Sequence, residues 1–147
     1  MARFFYFVQL YEKNMSIEII TSAEFSALLA NDKKLSVLDV RSNFEFENMR
    51  LDYPTQHIEM HKITPDFERD AGKPLYILCK MGPRAHTIAK YLNANGHDNL
   101  IVIKGGTTEC KEAGADMIEQ DPPAHPQDIG SAAQQSFQLF MMRPDAH

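Results

Sequence analysis

The sequence has few cysteines, no long apolar run and no excess of positive charge, and each shortage excludes a class of protein. Only two of the 147 residues are cysteines, Cys79 and Cys110, so we expect no disulfide framework and a reducing, cytoplasmic location. The apolar run Phe4–Val8 is far shorter than the roughly 20 residues that span a bilayer, so we expect no membrane span. The formal net charge of −5 argues against binding nucleic acid through charge.

Two common kinds of ligand site are also missing from the pattern. None of the six histidines pairs with a cysteine or carboxylate at metal-ligand spacing, so we predict no zinc site. Gly105-Gly106 lacks the further glycines, or the Gly-Lys-Thr continuation, of a nucleotide-binding loop, and we predict no cofactor. The composition, 44% hydrophobic and 24% charged, is typical of one globular domain of this length.

The two ends of the chain differ in composition from its centre. We interpret residues 1–15 as an N-terminal extension and residues 16–118 as the folded domain. Residues 119–147 are rich in proline, alanine and glutamine and carry one apolar patch, Phe137–Met142. We expect this stretch to be a C-terminal tail that is loop-like and either poorly ordered or docked only through that patch.

Short strand and helix patterns alternate in the centre of the chain. The predicted strands are Ile17–Ile20, Val37–Val40, Leu75–Leu78 and Leu100–Ile103, with a weaker candidate at Thr55–Met60. The predicted helices run from the capping box at Thr21 to Asn31, from Ser42 or Asn43 to Met49, over Ala85–Asn95 and over Thr107–Ala113, with a short helical turn at Pro65–Arg69. This alternation indicates an α/β fold with a mainly parallel central sheet and helices on both faces.

The strongest chemical signal is Cys79, which directly follows the apolar run Leu75–Leu78. A short loop, Lys80-Met81-Gly82-Pro83-Arg84, separates it from the next helical pattern. Ligands bind at the carboxyl ends of parallel strands, and the unpaired N–H groups of a helix N-terminus favour an anion such as a thiolate. A single cysteine in such a place is otherwise a buried, inert thiol. The loop and the helix behind it favour an exposed, ionised nucleophile.

A set of motifs along the chain resembles those of single-domain rhodaneses. They are Asp39-Val40-Arg41, Phe44-Glu45-Phe46, Cys79-x-x-Gly82-x-Arg84, Gly96, Lys104-Gly105-Gly106-Thr107 and Ala113-Gly114. The resemblance covers roughly residues 16 to 118 and implies a rhodanese-like fold and a sulfurtransferase. It implies that Cys79 takes the outer sulfur of a donor such as thiosulfate, holds it as a persulfide and passes it to cyanide, a thiol or a sulfur-accepting protein.

The resemblance also implies which residues form the site. Cys79 is the expected catalytic residue, and the expected substrate-binding loop consists of Lys80, Met81, Gly82, Pro83 and Arg84. The backbone N–H groups of this loop, except at Pro83, are expected to donate to the anionic sulfur. We expect Arg84 to bind an anion beside the persulfide. Lys80 and His86 either add positive potential at the pocket mouth or are solvated.

Two alternatives remain open from the sequence. A phosphatase or arsenate reductase on the same scaffold uses arginine six positions after cysteine, whereas Arg84 stands five positions after Cys79. The degraded family motif at Arg50–Thr55 and the atypical flanks keep open a non-catalytic binding module, or a redox relay through Cys79 and Cys110. Ala85 and the missing tryptophan after Gly105-Gly106 also depart from the family pattern and bear on donor preference and catalytic efficiency. Asp39 and Arg41 are expected to pair within the scaffold.

Overall fold

A central sheet of five parallel strands organises the protein. The computed structural model describes residues 17–146. The sheet contains β1 (Ile17–Thr21), β2 (Ser36–Asp39), β4 (Gln56–His57), β5 (Leu75–Leu78) and β6 (Leu100–Lys104). Their order across the sheet is β1-β6-β5-β2-β4, and every neighbouring pair is parallel. This confirms the predicted α/β class and places β5, the strand before Cys79, in the middle of the sheet.

Five α-helices lie within residues 17–146, and the first two begin at side-chain caps. They are α1 (Ser22–Asn31), α2 (Asn43–Asn48), α3 (Pro83–Ala94), α4 (Gly106–Glu112) and α5 (Pro126–Met141). Thr21 with Glu24 forms the predicted capping box of α1, and Ser42 with Glu45 forms a second one at α2. The helix α3 begins at Pro83, two residues before the predicted start at Ala85. Proline is well suited to the first turn of a helix.

Two predicted elements are shorter or different in the structure. The strand predicted at Thr55–Met60 is reduced to β4, and its end forms a 3₁₀ turn at Met60–Lys62. The helical turn predicted at Pro65–Arg69 is reduced to a hydrogen-bonded turn, in which Phe67 N–H donates to the carbonyl oxygen of Thr64 at 3.2 Å, and no helix follows it. The sequence pattern also missed an antiparallel ribbon of β3 (Met49–Leu51) and β7 (Met117–Glu119), whose partners are far apart in the chain.

Each face of the sheet carries its own hydrophobic core, because successive strand residues point to opposite sides. Ile77 and Val102 belong to the core that includes Ile88, Leu92 and Phe140 of the helices α3 and α5. Leu78 and Ile103 belong to the core that includes Phe25 of α1 and Cys110 of α4. Helices therefore cover both faces of the sheet, as predicted.

The C-terminal stretch is a docked helix rather than a loop-like tail. Phe140 of α5 is fully buried in the core beside α3 and makes an edge-on ring contact with Tyr91. The docking extends beyond the apolar patch, since Ser136 lies 2.9 Å from His61 Nδ1 and Arg143 donates to the carbonyl oxygen of Ile63 at 2.7 Å. Burial of these groups, which no local pattern reveals, is what orders this stretch.

The predicted N-terminal extension, residues 1–15, lies outside the described residues. Within residues 17–146, no helix has the length and apolar character needed to cross a membrane.

Candidate active site

Cys79 stands at the carboxyl end of β5, where ligands bind in parallel sheets. The loop after it is short because α3 already begins at Pro83. Gly82 makes the turn into α3 with a φ of 122°, a conformation that side chains rarely adopt. The loop thus curls over the thiol and leads directly into a helix.

The sulfur of Cys79 accepts a hydrogen bond from this loop. The backbone N–H of Gly82 donates to Cys79 Sγ at 3.0 Å. Among the residues that the structure describes, no other hydrogen bond to this sulfur is present, so the other loop N–H groups of the predicted cradle do not contact it directly. The expectation of an exposed thiol was wrong, because Cys79 is only 1% exposed. The loop backbone that supplies the donor also covers the sulfur.

Arg84 is held by Glu45 in a two-point contact. Its Nη1 donates to Glu45 Oε2 at 2.8 Å and its Nη2 donates to Glu45 Oε1 at 2.7 Å. The carboxylate also accepts from the backbone N–H and the hydroxyl of Ser42. The side chain of Glu45 is 1% exposed and that of Arg84 is 12% exposed, so this ion pair is largely shielded from water. The Arg84 guanidinium therefore links α3 to α2, and the Glu45 carboxylate balances its charge.

In this pair each charged group stabilises the other, which offsets the cost of burying the charges. Burial disfavours the charged form of Glu45, but the hydrogen bond and charge of Arg84, together with the Ser42 hydrogen bonds, outweigh it and lower the carboxyl pKa. Burial likewise opposes the charge of Arg84. The hydrogen bond and charge of Glu45, with a smaller effect from the negative charge of Asp39, raise its pKa. Arg84 thus remains a cation.

A second buried ion pair lies at the end of β2. Arg41 Nη2 donates to Asp39 Oδ2 at 2.8 Å, and both side chains are almost inaccessible. The same nitrogen of Arg41 also donates to the carbonyl oxygen of Met49, and the carbonyl oxygen of Arg41 accepts from His57 Nε2. The predicted scaffold pairing of Asp39 with Arg41 is confirmed, and it fixes the strand end beside β5.

The remaining residues of the predicted loop lie at its outer rim. Lys80 and Met81 are exposed, and Met81 has 54% of its surface accessible. His86 is half-buried in the first turn of α3, where its backbone N–H donates to the carbonyl oxygen of Gly82 at 3.0 Å. The structure thus places an apolar side chain and a cation at the loop tip, above the buried sulfur.

Cys110 occupies a different environment. It is fully buried in the core beneath α1 and α4, whereas Cys79 belongs to the core on the other face of the sheet. Burial raises the pKa of the Cys110 thiol, and the neighbouring hydroxyls of Ser22 and Ser26 oppose this only in part. The two thiols are free and not joined in a disulfide.

A surface cavity at the opposite edge of the sheet does not coincide with this chemistry. This cavity of about 650 Å³ is lined by Ser36, Val37 and Leu75, at the amino ends of β2 and β5. That edge of a parallel sheet seldom binds ligands. Within residues 17–146, no three histidine, cysteine or acidic side chains come together as a metal-binding group. The thiol, its donor and the ion pair therefore locate the candidate site better than cavity volume does.

Comparison with known proteins assigns the fold to a family. The rhodanese-like domain family matches residues 21–113, which include β2, β5 and the whole Cys79 loop. The chain belongs to the rhodanese-like domain family. None of the curated proteins matches it. The matched residues end before α5, so the docked C-terminal helix lies outside the part of the chain that defines the family.

Solved structures agree with this assignment. A rhodanese-like domain protein from Staphylococcus aureus is 25% identical, covers 70% of this chain and 98% of its own, and has a TM-score of 0.58. A thiosulfate sulfurtransferase from Pseudomonas aeruginosa is 20% identical, with a TM-score of 0.61 over 88% of this chain and 26% of its own. A Rhodopseudomonas palustris protein of unknown function, described as a possible tyrosine phosphatase, is 24% identical, with a TM-score of 0.61 over 74% of this chain and 90% of its own. The last two show the fold alone.

Glu45 is the site residue whose partner the sequence did not reveal. Its place in the Phe44-Glu45-Phe46 motif was visible, but its contact with Arg84 joins positions 39 residues apart. The sequence predicted a cap at Ser42 or Asn43, and the structure shows that Glu45 turns back to complete a capping box with Ser42. Only the packing of α2 against the Cys79 loop shows that the same carboxylate also reaches Arg84.

Proposed function

We propose that this protein is a sulfurtransferase that carries sulfane sulfur on Cys79. The observation that carries this proposal is the hydrogen bond from Gly82 N–H to Cys79 Sγ, at the carboxyl end of a central parallel strand. A fixed donor beside the sulfur stabilises negative charge on it, first as thiolate and then as persulfide. The loop residues Lys80, Met81, Pro83 and Arg84 complete the proposed binding site, with His86 behind them.

The proposed reaction has two displacement steps. The Cys79 thiolate attacks the outer sulfur of thiosulfate, the sulfur–sulfur bond of the donor breaks, and sulfite leaves with the bonding electron pair. A nucleophile such as cyanide or a thiolate then attacks the outer sulfur of the persulfide. Thiocyanate or a new persulfide leaves, and the Cys79 thiolate is regenerated. No external oxidant or reductant is needed, because each sulfur–sulfur bond that breaks is replaced by a new bond to sulfur.

The burial of Cys79 shapes what this site can accept. With 1% of the residue exposed, the sulfur lies below a loop whose outer positions are Lys80 and Met81. A donor that ends in a single narrow sulfur atom fits this arrangement better than a tetrahedral phosphate. The five-position spacing from Cys79 to Arg84, and the neutralisation of Arg84 by Glu45, also support sulfur over phosphate chemistry.

The proposal is tested by incubating the protein with thiosulfate, adding cyanide and measuring thiocyanate. Mass spectrometry after the first step is expected to find the mass of one added sulfur on the peptide that contains Cys79. Cys79→Ser is expected to abolish both signals, and Cys110→Ser is the matched control that retains them. Equal signals from wild type and Cys79→Ser would overturn the proposal. Hydrolysis of para-nitrophenyl phosphate without sulfur transfer would replace it with the phosphatase alternative.

A further inference from the structure

The start of α4 holds the underside of the Cys79 loop through three backbone hydrogen bonds. Thr107 N–H donates to the carbonyl oxygen of Cys79 at 2.9 Å, and Thr108 N–H donates to that of Lys80 at 3.2 Å. Gly105 N–H donates to the carbonyl oxygen of Met81 at 3.0 Å. Three consecutive loop carbonyls are therefore bound by one segment, residues 105–108, which we call the loop support.

These bonds fix the direction of the loop N–H groups. In a planar trans peptide, the C=O and the N–H of the next residue point in opposite directions. Because the carbonyls face the loop support, the N–H groups of the following residues face away from it. The peptide between Met81 and Gly82 shows this directly: its carbonyl accepts from Gly105, and its N–H donates to Cys79 Sγ. Bonds in such a chain polarise one another.

Gly106 makes this close approach possible. A Cβ built at Gly106 lies 2.3 Å from the carbonyl carbon and oxygen of Lys80 and 2.4 Å from the carbonyl oxygen of Cys79. These are backbone atoms that cannot rotate aside as the end of a flexible side chain can. With a φ of 58°, Gly106 has a left-handed conformation of moderate cost, so the contact with the loop is the main reason for glycine here.

Ser22 supports the same segment from the opposite side. Its side chain is 1% exposed, and Ser22 Oγ lies 2.9 Å from the carbonyl oxygens of both Lys104 and Gly106. The start of α1 thus holds the Gly106 peptide in place without touching the Cys79 loop. The loop support is fixed from below by α1 and in turn fixes the loop above it.

We propose that Gly106 is a positioning residue for Cys79, which acts by seating the loop so that the Gly82 N–H points at the sulfur. The inference rests on the proposed function only in taking this loop as the place of sulfur transfer. We therefore expect a methyl group at position 106 to lower the reactivity of the Cys79 thiol in a protein that still folds. The reactivity of the thiol is therefore the quantity to measure.

The test compares Gly106→Ala with Gly114→Ala. Gly114 also has a positive φ, 91°, but a Cβ there meets no atom within 4 Å, so this control carries backbone strain without the clash. Alkylation of Cys79 by iodoacetamide is followed across pH by mass spectrometry of its peptide. In Gly106→Ala we expect the rate at neutral pH to fall about tenfold and the pH profile to move upward, as expected for loss of an anion donor. The Gly114→Ala profile is expected to follow wild type.

A pH profile of folded Gly106→Ala that coincides with wild type would overturn the inference. Should Gly106→Ala not fold, Ser22→Ala decides, because it removes one buried hydroxyl without adding any atom near the loop. We expect Ser22→Ala to slow alkylation of Cys79 by about threefold, and an unchanged rate would refute the inference. The readout does not depend on sulfur transfer. A wild-type protein that makes no thiocyanate would refute the proposed function and leave this test valid.

Discussion

The two cysteines are almost equally buried, yet the structure surrounds them differently. Cys79 is 1% exposed and Cys110 is 0% exposed, so accessibility alone does not separate them. Cys79 follows the end of a strand, under a loop that donates an N–H to its sulfur. Cys110 lies within α4, in an apolar core that raises the pKa of its thiol. Similar burial therefore does not imply similar reactivity, because within residues 17–146 only the sulfur of Cys79 has a backbone N–H donor that stabilises a thiolate.

The largest expected effect is a difference in alkylation between the two thiols. Cys79 lies beneath one short loop and beside an N–H donor, whereas Cys110 becomes accessible only when the core between α1 and α4 opens. We expect iodoacetamide to label Cys79 in native protein about a thousandfold faster than Cys110. Quantitative mass spectrometry of the two peptides measures both rates. In concentrated urea the two rates are expected to converge, and equal rates in native protein would remove the distinction.

The ion pair behind the loop offers the next largest effect. Glu45→Ala leaves Arg84 buried without its partner, and we expect a loss of about 3 kcal/mol in the free energy of unfolding, measured by urea denaturation. Glu47→Ala is the matched control, because Glu47 lies on the same helix and is exposed. Its cost is expected to stay within about 0.5 kcal/mol.

The same variant also tests whether the ion pair affects the reactivity of only one of the two thiols. Because Glu45 holds Arg84 beside the Cys79 loop, Glu45→Ala is expected to change the alkylation rate of Cys79 and leave that of Cys110 unaltered under native conditions. Equal stability of Glu45→Ala and Glu47→Ala would show that the pair contributes nothing to the fold.

Glu45 also marks the limit of what the sequence predicts. Strand and helix periodicity and the capping box at Thr21 are local signals, and they predicted the sheet, the position of Cys79 and the start of α1. The Glu45–Arg84 contact depends on how α2 packs against the loop, which no local pattern encodes. The docked helix α5 was missed for a similar reason: Phe140 belongs to a short apolar patch, and only its contact with Tyr91 shows why it is buried.

Acid is expected to weaken the Glu45–Arg84 pair in a defined direction. Burial opposes the charge on Glu45, but Arg84 and Ser42 lower its pKa below the ordinary value of 4.5. A lowered acid pKa stabilises the folded protein fully above the ordinary value, and this contribution is lost as pH falls through the lowered folded value. The stability advantage of wild type over Glu45→Gln is therefore expected to be constant from neutral pH to pH 4.5 and to shrink below it.

The measurement is urea denaturation of both proteins from neutral pH down to about pH 3. Taking the difference between the two proteins removes the contribution of other carboxyl groups, such as Glu59, whose pKa is also lowered despite its partial burial. A difference that grows toward acid pH would contradict the assignment of the charged form to Glu45.

The smallest effect is expected at Cys110. Cys110→Ala removes one buried sulfur from the core beneath α1 and α4, and we expect a cost of about 1 kcal/mol in the free energy of unfolding. Sulfur transfer and alkylation of Cys79 are expected to remain within about twofold of wild type, because the two thiols lie in cores on opposite faces of the sheet. A loss of sulfur transfer in Cys110→Ala at full Cys79 reactivity would instead make Cys110 a partner in the reaction and revive the redox relay. Burial of Cys110 away from the loop predicts the first outcome, in which one thiol stabilises the core and the other carries the chemistry.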